Sequence, residues 1–192
     1  MHAGGWDKIE GGMPQIGLAC LTGCMDTFSI RNYADSLDAP PIYRMAKFEW
    51  KTFKGNNAHE SGRLVGHGGF NGSEQEVSAD VLFDHLCEWD TKNYIICAGT
   101  GGKPGGSGSH DNQQEGIADS HAYSLISAKK KVCGKFDLLC FRNPWGSGEF
   151  TGGGWQDGGV MWQNNPEVKK VGMYVTYIQH VFILCVCRDC GC

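Results

Sequence analysis

Two residues in this sequence have side chains that could do chemistry together: His121 in "DSHAYSLI" and Asn143 in "FRNPWGSGEFTGGGWQDGG". A histidine is the usual base for a thiol nucleophile, since it takes the thiol proton and holds the thiolate beside it. Such a histidine needs a partner on its other ring nitrogen, and an asparagine oxygen fills that place without adding a full charge. Trp145 follows closely and could cover the His–Asn hydrogen bond, which strengthens it by excluding water. Pro144 fixes the turn that presents this indole. The same residues also suit a purely structural role. Asn-Pro-x-Gly is a common turn, tryptophan is commonly a core residue, and a lone histidine is commonly structural or exposed.

The surrounding elements must bring the pair together. "HAYSLISA", residues 121–128, and "KFDLLCFRN", residues 135–143, both read as strands, joined by the polar connection "KKKVCG". In an antiparallel hairpin the start of the first strand lies beside the end of the second, so His121 and Asn143 become neighbours. Upstream, residues 74–90 read as a helix, with Val77, Val81, Leu82, His85, Leu86 and Trp89 near helical spacing. Ser73 and Glu76 suit a capping box for it. "NYIICAG" reads as a short buried strand that Gly99 ends. Residues 99–116 read as a flexible glycine-rich loop. It lacks the GxxxxGK[ST] order and a following helix, which sets aside a phosphate cradle and leaves His110 and Asp111 solvated. The stretch "MHAGGWDKIEGGMPQIGLACLTGC" is broken by glycines and Pro14 and suits short helical turns. "DAPPIYRMAKFEWKTFKG" shows no regular period. The expected fold class is α+β.

Bulk properties narrow the partners. The chain has 192 residues, 41% apolar and 20% charged, the size and composition of a globular domain or part of a larger one. Its formal net charge is -4 and it has no basic block, which argues against a nucleic-acid partner. Of ten cysteines, four crowd into "CVCRDCGC"; Cys20, Cys24, Cys87, Cys97, Cys133 and Cys140 are scattered. With no secretory signal at the start, these read as reduced thiols of a cytoplasmic protein, with a disulfide scaffold the weaker alternative. The C-x-C-x-x-C-x-C tail suggests a soft metal, but it is compressed and lacks a second knuckle. The apolar run "MYVTYIQHVFILCVC" is too short and interrupted to read as a clear membrane span.

"SHAYSLISA" followed by "LLCFRNPWGSGEFTGGGWQDG" resembles the second half of the protease core of calpains. "GGWDKIEGGMPQIGLACLTG" is similar to the segment where that core passes from its first subdomain to its second. The resemblance covers residues 4–165 and is strongest over 119–157. It implies a papain-like core, mainly the antiparallel-sheet second subdomain with flanking helices. Residues 1–165 would be a partial catalytic domain, and residues 166–192 a divergent cysteine-rich tail. By resemblance His121 is the catalytic base, Asn143 its orienting partner and Trp145 the roof over both. Glu149 and Asp157 match acidic positions that bind calcium, a cation that takes hard oxygen ligands. The implied activity is calcium-dependent cysteine endopeptidase cleavage of protein or peptide substrates.

The departures matter too. Ser120 stands where the family has glycine, a mild change on sequence alone. "TGGGWQDG" carries an extra glycine, and the tail lacks the expected acidic and aromatic strands. The resemblance puts the nucleophilic cysteine and the oxyanion donor on a first subdomain upstream of Met1. Cys20 and Cys24 fall in the junction segment instead. The expectation is a partial endopeptidase, inactive on its own; the alternative is a catalytically dead calpain-like binding or regulatory protein.

Overall fold

A computed structural model of the chain describes residues 14–32, 41–47, 49–52, 64–67, 74–100, 109–114, 116–145, 150–151, 154–156, 158–170 and 183–187. The architecture is α+β, as expected. Seven antiparallel strands form one sheet: β1 (Thr27–Asn32), β2 (Tyr43–Lys47), β5 (Gln75–Val77), β6 (Ile95–Gly99), β9 (Ala122–Val132), β10 (Phe136–Arg142) and β11 (Ile183–Cys187). Their order across the sheet is β10-β9-β6-β11-β1-β2-β5. Two small hairpins stand apart from it, β3 (Glu49–Thr52) with β4 (Leu64–His67), and β7 (Ser109–Gln114) with β8 (Ile117–Asp119).

Both faces of the sheet are covered. On one face lies α2 (Ala79–Thr91), which buries Leu82, Phe83, Leu86 and Trp89. They pack with Ile30, Tyr43, Val77, Ile96, Ala98, Ala128 and Leu139 into the main core. The opposite face carries α1 (Pro14–Thr22), whose buried Gln15 donates from Nε2 to Ser29 Oγ at 2.8 Å. Toward the β10 edge that face holds a second cluster of Val132, Leu138, Cys140, Trp155 and Val168. Two short helices contribute to it, α3 (Val160–Asn164) and α4 (Pro166–Lys170). β10 therefore has apolar residues on both sides, Leu139 and Phe141 toward α2 and Leu138 and Cys140 toward Trp155. Among the described residues no helix is long and apolar enough to cross a membrane.

The β9–β10 hairpin departs from the expected 121–128 strand and six-residue connection. β9 continues to Val132, and the turn is Cys133–Gly134–Lys135. Two register shifts explain why alternation failed to show this. Val132 pairs with Phe136 but Lys129 with Leu138, and Ser127 pairs with Cys140 but Leu125 with Phe141. Each shift puts one extra residue into β9, and each reverses which face the following residues take. Tyr123 and Leu125 thus share the α2 core with Ala128, while Val132 joins the opposite cluster. Carboxylates take up the disrupted rungs: Asp90 Oδ2 accepts from Ala128 N at 3.1 Å, and Asp137 Oδ1 from Lys131 N at 2.8 Å.

Other expectations also need correction. The helix begins at Ala79 rather than at residue 74, because Gln75–Val77 pair as a strand with Tyr43–Met45. The cap is Ser78, whose Oγ accepts from Val81 N at 3.4 Å, and Glu76 of the expected capping box lies on β5, while Ser73 lies outside the described residues. Val81 is consequently exposed rather than part of the apolar stripe. The glycine-rich segment contains a strand, since 109–114 pair with 117–119; His110 and Asp111 lie on it. Part of the cysteine-rich tail is also in the sheet, with β11 running between β6 and β1.

Candidate active site

His121 immediately precedes β9 and Asn143 immediately follows β10, so the hairpin brings both to one end of the sheet. His121 Nε2 and Asn143 Oδ1 are 2.8 Å apart. The Trp145 main-chain N–H donates to the same Oδ1 at 3.0 Å. That second donor fixes the asparagine orientation, because an N–H can be received only by the amide oxygen. The histidine nitrogen facing that oxygen must then be a donor, so Nε2 carries a proton, and in the neutral ring the basic lone pair is on Nδ1. Trp145 lies over the imidazole with ring centroids 3.8 Å apart and planes tilted by 37°. Trp145 is 38% exposed, so part of it covers the imidazole while the rest meets solvent. Tyr123 meets the imidazole edge-on at 4.8 Å. The result is an imidazole held in one plane and one tautomer, able to receive a proton at Nδ1.

The main chain of His121 is held as firmly as its ring. Thr100, just beyond β6, donates from its N–H to His121 O at 2.9 Å. Thr100 Oγ1 accepts from His121 N at 3.0 Å and lies 2.6 Å from Ala118 O. Tyr123 Oη accepts from Ala118 N at 2.9 Å. Sequence reasoning passed over Thr100 and Tyr123. The available signal was a hydroxyl residue at the end of the strand that neighbours the histidine strand. On the other side of His121, Ser120 takes φ of 50°, the left-handed region. A serine where the family has glycine is therefore a strained substitution, contrary to the mild reading from sequence.

Glu149 and Asp157 lie outside the described residues. The loop between them is tightly bonded where it is described. Trp155 O accepts from Trp162 Nε1 at 2.6 Å, Gly154 O from Met161 N at 3.0 Å, Gln156 O from Gly159 N at 2.7 Å, and Gly158 O from Gln163 Nε2 at 2.7 Å. No group of three or more metal-ligating side chains occurs among the described residues.

The six scattered cysteines are unbridged. Among the described residues none of them hydrogen-bonds to His121. Burial pushes the Cys97 thiol up, and burial is also the main cause that pushes Cys87 up, with Lys130 opposing it. Both shifts run away from the thiolate a nucleophile needs. Cys20 is exposed on α1, within the junction-like segment.

Compared with known protein families, residues 3–182 match the model described as calpain family cysteine protease, a span that includes the histidine, the asparagine and most of the sheet.

Proposed function

The chain belongs to the calpain family of cysteine proteases, and from that premise we propose that it supplies the base side of a thiol-dependent peptide-hydrolysing site. His121 is the base, Asn143 the residue that orients it, and Trp145 the cover over their hydrogen bond. One observation carries this reading: the 2.8 Å Nε2–Oδ1 contact, whose geometry leaves the lone pair on Nδ1. In such a site Nδ1 takes the proton of a thiol, and the imidazolium so formed stays fixed by Asn143. The same nitrogen then returns the proton to the departing amine. Trp145 keeps water from competing for the Asn143 oxygen. On this proposal the thiol served by Nδ1 is other than Cys20, Cys24, Cys87, Cys97, Cys133 and Cys140. Without a nucleophile and an oxyanion donor in reach, the described residues alone should not cleave peptides.

Calcium dependence belongs to the same proposal. Glu149 and Asp157 would provide hard carboxylate oxygens for the ion. Terbium, a luminescent calcium substitute, should bind the chain, and Glu149→Gln with Asp157→Asn should abolish the calcium-displaceable signal. An unchanged signal would remove calcium from that loop.

The protein recovered from its source with an antibody to residues 135–157 provides the direct test of hydrolysis. It should cleave an unfolded protein substrate, and thiol alkylation should stop the cleavage. His121→Ala in the same source should lower the rate by about 10²-fold or more. Cleavage that survives this substitution would refute the assignment. The other reading is a catalytically silent binding or regulatory protein, for which the recovered material would cleave nothing.

A further inference from the structure

We infer that Thr100 is a positioning residue for His121, its hydroxyl standing in the sheet ladder where a backbone carbonyl would otherwise be. The inference rests on His121 being the base, and it identifies what holds that base in register.

The β6–β9 ladder runs Cys97 with Ser124, Ala98 with Tyr123 and Gly99 with Ala122. The next rung is Thr100 with His121. Its first half is regular, the Thr100 N–H donating to His121 O. In the second half His121 N–H is received by Thr100 Oγ1 at 3.0 Å. The hydroxyl proton is directed to Ala118 O at 2.6 Å, the nearer of the two carbonyls in reach, with His121 O at 3.2 Å. One oxygen thus joins the end of β6, strand β8 and the main chain of the histidine.

A second hydroxyl completes the arrangement. Ala118 N–H is received by Tyr123 Oη, and the Tyr123 ring meets the His121 ring edge-on. Both polar groups of Ala118 are therefore held by hydroxyls, and each hydroxyl residue also touches His121, one at its main chain and one at its ring. Only a group that donates and accepts from one atom can serve at position 100. Valine has the same shape but would leave His121 N–H and Ala118 O without their partner. The histidine main chain would then move to find another, carrying Nε2 away from Asn143. Serine keeps both bonds. Thr100 reaches no reacting atom and acts only through His121.

The test uses the whole 192-residue chain labelled with ¹⁵N. Ring ¹⁵N–¹H correlations report the His121 tautomer, and amide hydrogen exchange reports its main-chain bond. In the unaltered chain the ring should be in the Nε2–H form and the His121 amide should exchange slowly. Thr100→Val should mix the tautomers and speed exchange of that amide by about tenfold, the loss of one hydrogen bond. Thr100→Ser should restore both. A merely structural threonine would lower the melting temperature in the valine variant yet leave the tautomer untouched, and that result overturns the inference. If the valine variant does not fold, the unaltered chain decides, since rapid exchange of its His121 amide overturns the inference equally. An Nδ1–H ring in the unaltered chain would instead remove the base reading itself, and this inference with it.

Discussion

Replacing Ser120 by glycine should stabilise this chain. Ser120 has φ of 50°, directly before His121. The left-handed conformation costs an ordinary L-residue about 1–2 kcal/mol through the clash of its Cβ with the backbone. Glycine removes that clash but gives the unfolded chain more freedom, which takes back about 0.5–1 kcal/mol. The net gain is about 0.5–1 kcal/mol, and for a domain of this size it raises the melting temperature by about 1–4 °C. Thermal unfolding followed by circular dichroism measures it, with Ser120→Ala as the control that keeps the Cβ. If alanine stabilises as much as glycine, or glycine does not stabilise at all, the left-handed strain is not what position 120 experiences.

Tyr43 is buried in the main core, its hydroxyl has no hydrogen-bond partner among the described residues, and burial pushes its pKa up to about 12. The folded state therefore keeps the phenol proton at pH values where the unfolded chain releases it. Stability should fall as pH rises from the ordinary tyrosine value of about 10 toward the folded value, by about 3 kcal/mol in all. Denaturant titrations at stepped pH should show Tyr43→Phe without that component and no less stable at pH 7. Asp90→Ala should destabilise by about 1–3 kcal/mol, since Ala128 N at the β9 bulge loses its acceptor. Asp90→Asn, which keeps an oxygen there, should lose less in the same titration. A Cβ at Gly159 would collide with the carbonyl oxygens of Gly154 and Gln156. Gly159→Ala should cost about 1–3 kcal/mol and weaken the near-ultraviolet dichroism of Trp155 and Trp162, which pack edge-to-face at 4.8 Å.

The His–Asn pair was legible because its logic is local. A hairpin brings the two ends of its strands together whatever happens between them, and 22 residues of sequence become 2.8 Å. The interior of the same hairpin was not legible. Two bulges reverse the facing of β9, so Lys129–Lys131 read as a connection although they are strand. β1 and β2 are short, and their pattern makes sense only against partners elsewhere in the chain. Gln75–Val77 carry helix-like spacing with the residues after them, yet the cross-strand pairing with β2 outweighs it. Thr100 lay hidden for a different reason. Its role is fixed by what stands opposite it in the sheet, and a one-dimensional reading has no means of placing a residue opposite another.

β11 has a further consequence, for the order in which the molecule comes together. It is the only described strand that joins β6, β9 and β10 to β1, β2 and β5. Its rungs pair Thr27 with Cys187 and Arg31 with Ile183, partners separated by most of the chain. Contacts of such sequence separation form slowly, because the loop between them must close before they return any stability. As the chain emerges from the ribosome, β1 can pair with β2 and β9 with β10 long before β11 exists. Until it arrives, β6 and β1 each present an open edge, the surface on which growing chains pair wrongly with one another. A nascent protein of this design would depend on chaperones during that interval, although every residue of its candidate site had already been made.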